Sequence, residues 1–186
     1  DLLATGVLPL CLGEATKVSQ FLLDSDKAYR ARIKLGERTD TADSEGEVIA
    51  QVEGFTIDEA AVKAALRGFE GEIEQVPPMY SALKQDGQPL YKLARQGKTV
   101  ERKARAITIY SIELTDVDAD ANVIEIEVDC SKGTYIRTIA DDLGQILGCG
   151  GHIIALRRLR AGVFSIEDSV TLEALEAKKE AGGFRY

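Results

Sequence analysis

The sequence lacks the features that mark a membrane protein, a secreted protein or a metal centre. No apolar run in its 186 residues approaches the roughly 20 residues that a membrane-spanning helix needs. The first residues have no basic region ahead of their apolar run, so we do not expect them to act as a signal peptide. The three cysteines, Cys11, Cys130 and Cys149, form neither a CxxC pair nor a metal-type spacing with the single histidine, His152. We therefore expect buried thiols in a reducing cytoplasm, with no disulfide, no metal site and no membrane partner.

What the chain does contain is the composition of an ordinary globular protein. Hydrophobic residues make up 45% of it, which is enough for one domain with a substantial core or for two small ones. There is no internal repeat and no low-complexity linker. The glycine-containing segments do not resemble a nucleotide-binding loop, so we expect no cofactor.

Charge is distributed unevenly along the chain. The net charge of −8 argues mildly against a nucleic-acid partner. One short segment nevertheless carries six basic residues against the single acid Glu101, namely Lys92, Arg95, Lys98, Arg102, Lys103 and Arg105. A second basic cluster contains Arg157, Arg158 and Arg160. Two interpretations stay open: the protein has one phosphate-facing side, or its solvated surfaces simply differ in charge.

The spacing of apolar residues predicts an α+β fold. Alternation predicts strands over residues 27–35 and 123–130, a long strand over 104–117 that pairs with the latter as a hairpin, and shorter strands over 48–52 and 153–159. Helical spacing predicts helices over residues 14–23, 56–68, 90–95, 134–147 and 171–181, with Thr56 and Thr171 as N-caps. Residues 36–46 are polar and are predicted to form a loop. Since the elements do not alternate as βαβ units, we expect a mixed, mainly antiparallel sheet flanked by helices.

The first nine residues, DLLATGVLP, place a carboxylate ahead of an apolar run that ends at proline. Taken alone, such an aspartate is more often a solvated turn or a cap than a catalytic group. Further segments follow in chain order: KAY at 27–29, LGERTDTADSEG at 35–46, QVPPMYSALK at 75–84, CSKGTYIRT at 130–138 and GHIIALRRL at 151–159. Together they resemble the motifs of the TruB family of tRNA pseudouridine synthases, whose first motif is usually DPLATGxLP. Leu2 stands where that family has proline.

The resemblance implies a pseudouridine synthase fold and an isomerase that converts uridine 55 in the T-loop of tRNA to pseudouridine. The bond from N1 to the ribose is broken, the base turns, and C5 is joined to the ribose. Asp1 falls on the family's nucleophile, and a carboxylate is ionised at neutral pH without an activating base. Whether Asp1 attacks the base or the ribose carbon is left open by the sequence.

The resemblance also implies roles for residues around Asp1. Arg137 would pair with Asp1 and hold it ionised in a dry site; the alternative is a surface arginine on a helix. Tyr29 would stack on the extruded base and help to remove the C5 proton; the alternative is a core tyrosine. Leu156 would pack on the other side of the base, where the alternative is an ordinary core leucine of a strand. Tyr135 would buttress the pocket.

RNA recognition is expected to depend on shape and on phosphate contacts. The candidate basic contacts are Lys84, Lys92, Arg95, Lys98, Arg102, Lys103, Arg105, Lys132, Arg157 and Arg158. The implied mechanism needs no imidazole, so we expect His152 to have a structural or RNA-contacting role.

The resemblance further implies that residues 1–186 form the catalytic domain, without the N-terminal strands and the C-terminal RNA-binding domain that the family usually has. We expect a cytoplasmic monomer that binds the T-arm stem-loop of tRNA. The main alternative is a non-catalytic RNA-binding or RNA-folding protein with a synthase-like shell, which the substitution at Leu2 favours. A protein-interaction module with no RNA role is a second alternative that suits the net charge.

Overall fold

The computed structural model describes residues 3–85 and 87–180. The strands are β1 (Ala4–Gly6), β2 (Lys27–Leu35), β3 (Glu37–Thr39), β4 (Val48–Gln51), β5 (Gly71–Gln75), β6 (Lys84–Gln85), β7 (Gln88–Pro89), β8 (Arg105–Asp118), β9 (Val123–Cys130), β10 (Gly151–Ala161) and β11 (Phe164–Ser165). The α-helices are α1 (Ser19–Leu23), α2 (Glu59–Arg67), α3 (Leu90–Ala94), α4 (Ile136–Ile146) and α5 (Leu172–Glu180). Two short 3-10 helices span Gly13–Val18 and Ile166–Asp168.

A seven-stranded sheet organises the described part of the chain. Its strand order is β1-β10-β2-β9-β8-β5, and β11 pairs with the end of β10. β1 runs parallel to β10, whereas the other neighbouring strands of this sheet are antiparallel. The pairs β3–β4 and β6–β7 form two small separate sheets. The prediction of an α+β fold with a mainly antiparallel sheet is confirmed.

The hydrophobic core lies between one face of this sheet and the helices α2 and α4. On β2 and β9 every second side chain is buried, as the alternation predicts; these are Ala31, Ile33, Leu35, Ile124, Ile126, Val128 and Cys130. The helices contribute Val62, Leu66, Ile136, Ile139, Ala140 and Leu143 to the same cluster. The polar residues between them on the strands face away from the helices.

Several predicted boundaries need correction. The N-cap of α2 is Asp58, not Thr56, because the Asp58 carboxylate accepts a hydrogen bond from the Ala60 N–H at 2.9 Å and fixes the start of the helix there. The predicted helix over residues 14–23 is a 3-10 helix followed by the short α1, and the predicted loop over 36–46 includes β3. Thr171 does cap α5, since its hydroxyl accepts from the Ala174 N–H at 3.2 Å.

In residues 3–85 and 87–180, no helix is long and apolar enough to cross a membrane.

Close packing of α4 against the start of β10 depends on glycine. The Gly144 carbonyl accepts hydrogen bonds from the Cys149 and Gly150 N–H groups at 3.1 and 2.8 Å, which folds the chain directly back against the helix. A Cβ atom at position 144 would lie 2.1 Å from the backbone nitrogen of Gly151. Any side chain larger than hydrogen would therefore push α4 away from β10.

We expect Gly144→Ala to destabilise the protein by at least about 2 kcal/mol, because the clash is with backbone and cannot be relieved by a rotamer change. Equilibrium unfolding in urea measures the effect. Gln145→Ala, at the exposed neighbouring position on α4, is the matched control. Equal stability of the two variants would contradict the packing described here.

Candidate functional site

A cleft of about 520 Å³ opens where β1, β2, β10 and the start of α4 meet. Its lining includes Tyr29, Tyr135, Arg137 and Leu156, four of the residues that the sequence selected, although they come from three different motifs. The strand register explains why they meet. β10 lies between its two neighbours, with Leu156 opposite Ala4 of β1 and Arg158 opposite Tyr29 of β2.

Asp1, the predicted nucleophile, lies outside the described residues. The described chain reaches the wall of the cleft at Ala4, and residues 4–8 form part of the lining. The predicted pair between Asp1 and Arg137 therefore stays a prediction.

Arg137 is a buried cation, with only 7% of its surface exposed. It lies in the first turn of α4, and its guanidinium group donates to the backbone carbonyl oxygens of Tyr80, at 2.6 Å, and Thr41, at 3.2 Å. Its Nη1 also forms an ion pair with Oδ2 of Asp43 at 3.1 Å. The alternative of a surface arginine is therefore wrong.

Asp43 is held as firmly as the arginine that it contacts. It is 6% exposed, and its Oδ1 accepts hydrogen bonds from the Thr41 hydroxyl at 2.6 Å and from the Glu45 N–H at 3.1 Å. The Ser44 N–H donates to the Ile153 carbonyl at 2.9 Å, which ties this loop to β10. These donors and the ion pair hold the Asp43 carboxylate in one position, and through it the guanidinium group of Arg137.

The backbone of Tyr135 is fixed by a side chain from β5. The buried amide of Gln75 donates to the Tyr135 carbonyl at 3.0 Å and accepts from the Tyr135 N–H at 2.8 Å. These two hydrogen bonds hold the residue that immediately precedes α4. They position Tyr135 and Arg137 together.

Burial controls the protonation of two groups beside the cleft. It raises the pKa of the Tyr29 phenol above its ordinary value, and the nearby guanidinium group of Arg158 opposes that rise. Burial also raises the pKa of the Cys130 thiol to about 11. Both groups are therefore neutral at physiological pH.

Comparison with known families agrees with the motifs. Residues 1–136 match the model of the TruB family pseudouridylate synthase, N-terminal domain. The chain belongs to the TruB family. Residues 137–182 match the model of the tRNA pseudouridylate synthase B C-terminal domain. The border between the two matches falls within α4, so the TruB cleft takes Tyr29 and Tyr135 from the first segment and Arg137 and Leu156 from the second.

Curated TruB relatives cover nearly all of this chain. A protein named tRNA pseudouridine synthase B from Cupriavidus metallidurans is 57% identical over 180 residues, which is 97% of this chain and 57% of the relative. The protein of the same name from Aromatoleum aromaticum is 59% identical over 177 residues, covering 95% of this chain and 56% of the relative. The chain thus spans somewhat more than half the length of these relatives.

Solved structures share the fold. A chain of a Cbf5–Nop10–Gar1 complex superposes with a TM-score of 0.70 at 28% identity, covering 98% of this chain and 45% of that one. A chain of an H/ACA ribonucleoprotein bound to a substrate RNA containing 2′-deoxyuridine gives a TM-score of 0.67 at 26% identity, with coverages of 98% and 44%.

Three residues predicted to contact substrate are not part of the cleft's lining. Lys132 is exposed and forms an ion pair with Asp24 at 2.8 Å. Arg95 follows α3 and lies over the ring of Tyr91, with its guanidinium carbon 5.5 Å from the ring centroid. Lys84 lines a separate pocket of about 260 Å³, whose other basic residues are Arg102, Lys103 and Arg105.

His152 is buried on β10, and its Nδ1 lies 3.1 Å from the carbonyl oxygen of Glu37. This contact fits the structural role that we expected as one of two possibilities. Across residues 3–85 and 87–180, no group of histidine, cysteine and acidic side chains could hold a metal ion.

The sequence argument missed two residues that shape the site. Asp43 lies within the quoted loop motif, but nothing in the spacing indicated that it would meet an arginine 94 positions later. Gln75 begins another quoted motif, and its contact with Tyr135 spans 60 positions. Long-range pairs of this kind leave no periodic signal in a single sequence.

We expect Asp43→Asn to lower the free energy of unfolding by about 3 kcal/mol, because it removes a buried carboxylate from an ion pair. Urea unfolding measures the loss. Glu45→Gln removes the same charge from an exposed position of the same loop and should change stability little. If both variants lower the free energy of unfolding by a similar amount, the total charge of the loop, rather than the buried ion pair, is responsible.

Thiol reactivity should follow burial. All three cysteines are free thiols, but Cys130 and Cys149 are buried and their pKa values are raised, whereas Cys11 is partly exposed. At pH 8 we expect an aromatic disulfide reagent to modify Cys11 rapidly and the other two only after unfolding, because the thiolate is the reactive form. Rapid modification of Cys130 in the native protein would contradict its placement in the core.

Proposed function

We propose that this chain carries the catalytic centre of an enzyme that isomerises uridine 55 in the T-loop of tRNA to pseudouridine. The observation that carries the proposal is the cleft itself. It brings an aromatic ring, an apolar side chain and a buried guanidinium group together beside the strand that follows Asp1. The relatives named tRNA pseudouridine synthase B, which match nearly the whole chain, support the same activity.

The cleft has the size and the lining for a single extruded nucleoside. Its volume of about 520 Å³ falls within the range of roughly 300–1,000 Å³ that is typical of small-molecule sites. A base stacked in an RNA loop must leave the stack before chemistry can occur, and it then needs a new face to lie against. In this proposal Tyr29 provides the aromatic face and Leu156 provides the opposing apolar contact.

Asp1 is the proposed nucleophile, and Arg137 its proposed partner. The carboxylate forms a bond with the nucleoside, the bond from N1 to C1′ breaks, the base turns, a bond forms between C5 and C1′, and the bond to Asp1 breaks again so that the product is released. The proton on C5 then leaves and N1 is protonated, so the product is an isomer of uridine. Asp43 and the Tyr80 carbonyl fix the guanidinium group of Arg137, so it does not need to reorganise during the reaction.

Tyr29 suits proton transfer better as a relay than as a base. Burial raises the pKa of its phenol, so the hydroxyl is neutral at physiological pH and is a weak base by itself. A neutral hydroxyl can accept the C5 proton while it passes its own proton to solvent water, from which N1 takes up a proton. We therefore propose that Tyr29 stacks on the base and relays this proton.

For RNA binding we propose the basic pocket lined by Lys84, Arg102, Lys103 and Arg105 as the main phosphate-contacting surface. Lys132, Arg95 and the exposed Arg157 are further proposed contacts. The T-arm stem-loop is the proposed ligand, and each lost phosphate contact should reduce the salt dependence of binding.

We further propose that these residues form the catalytic domain of a longer enzyme that acts as a monomer in the cytoplasm. Strands from both matched family segments share one sheet, which supports a single domain. The three free thiols support a reducing compartment.

The test is tritium release from a T-arm RNA hairpin labelled at C5 of uridine. We expect the parent chain to release tritium and Asp1→Asn to release none, because the amide cannot act as the nucleophile. Asp40→Asn, which removes an exposed carboxylate, should keep full activity. RNA binding by the parent without release would instead support the RNA-binding alternative, and a lack of salt-dependent binding would leave only the protein-interaction alternative.

A further inference from the structure

We propose that Arg158 is a positioning residue that ties β1, the strand that follows Asp1, to the hydroxyl group of Tyr29. The inference rests on the proposed function, because it concerns the same cleft. It differs from the expectation that Arg158 contacts RNA phosphates.

Arg158 holds β1 through two hydrogen bonds to one residue. Its backbone carbonyl accepts from the Val7 N–H at 2.9 Å, and its side-chain Nε donates to the Val7 carbonyl at 2.7 Å. Val7 is only 4% exposed. Both polar groups of the Val7 backbone are thus satisfied by a single residue of β10, which fixes the point where the chain leaves β1.

The approach between these strands is unusually close at the preceding residue. Gly6 pairs with Arg158 and has a φ of +98°, in the region that favours glycine. A Cβ atom at this position would lie 2.1 Å from the Arg158 carbonyl oxygen. The backbone of β1 therefore lies directly against the arginine, with no side chain between them.

Tyr29 is the other neighbour of Arg158 across the sheet. The two residues are paired in the register between β2 and β10, and both line the cleft. Burial raises the pKa of the Tyr29 phenol, and the charge of Arg158 opposes that rise. Because residues directly opposite each other on neighbouring strands carry their side chains on the same face, the guanidinium group and the phenol lie on one side of the sheet, in the cleft that both residues line.

The other basic residues of this strand are used differently. Arg160 forms a two-point ion pair with Asp129, at 2.6 and 2.7 Å, and Arg157 is exposed. Among the described residues, no carboxylate pairs with Arg158. The positive charge of Arg158 is therefore available to Tyr29, the proposed proton relay in the cleft. The hydrogen bond to the Val7 carbonyl holds the arginine side chain against β1 rather than extended towards RNA.

The first test compares Arg158→Gln with Arg157→Gln, which removes the same charge from the adjacent exposed position. We expect Arg158→Gln to lower the single-turnover rate at saturating RNA by roughly 10- to 100-fold, because a misplaced reacting group is costly. Its RNA Kd should stay at the parent value, whereas Arg157→Gln should raise the Kd, because Arg157 is a proposed phosphate contact. Arg158→Lys keeps the charge but cannot serve Val7 and Tyr29 together, so it should restore only part of the rate. A raised Kd with an unchanged rate would overturn the proposal in favour of a phosphate contact.

The second test does not require activity. The chain is labelled with 3-fluorotyrosine, and the Tyr29 resonance is assigned by its loss in Tyr29→Phe. The fluorine substituent lowers the phenol pKa, so that the phenol can be titrated without unfolding the protein. The chemical shift of the fluorine resonance then reports the ionisation of the phenol. Because the guanidinium cation favours the phenolate, we expect Arg158→Gln to raise the pKa of Tyr29 and Arg157→Gln to leave it unchanged. If Arg158→Gln does not fold, Arg158→Met takes its place, because it removes the charge and keeps most of the apolar stem.

The two tests separate the proposals. If Tyr29 has the same pKa in Arg158→Gln as in the parent chain, the proposed contact between Arg158 and Tyr29 is wrong, whatever the activity of the variant. A raised Tyr29 pKa in Arg158→Gln, together with a parent chain that releases no tritium, would support the contact between Arg158 and Tyr29 and reject the proposed function.

Discussion

The buried ion pair between Arg137 and Asp43 is the constraint on which the cleft depends. Removing two charges from water costs several kcal/mol for each ion, and only good geometry with further hydrogen bonds offsets that cost. The protein supplies these bonds from separate parts of the chain: the Tyr80 carbonyl, the Thr41 carbonyl and hydroxyl, and the Glu45 N–H. Satisfying the pair therefore draws two loops onto the start of α4.

The helix α4 transmits this constraint to the rest of the fold. Gln75 fixes the residue before it, and Arg38 of β3 forms a two-point ion pair with Asp141 in its middle, at 2.7 and 2.9 Å. Gly144 allows close contact with the start of β10 near its end. The helix is thus attached at three points to the strands that form or support the cleft. Arg137 can then be both buried and oriented.

Periodic features were predictable from the sequence, and long-range polar contacts were not. The bounds of β2 agree with the alternation over residues 27–35, because a half-buried strand imposes its period on the side chains. The motifs placed Tyr29, Arg137 and Leu156 in one cleft. The predicted N-cap at Thr56 was wrong because Asp58, two residues later, caps this helix. Asp43 and Gln75 act only through partners that the fold brings near, so a single sequence could not reveal them.

The parallel pairing of β1 with β10 has a consequence for how the protein is made. The contact between Arg158 and Val7 spans 151 positions, so the cleft joins nearly the first described residues to a strand close to the last. During synthesis from the N-terminus, this wall cannot close until β10 has left the ribosome. Contacts at such separation also form slowly, because a long loop must close first. The parallel pair β1–β10, and with it this wall of the cleft, therefore forms only after the segment that contains β10 has been made.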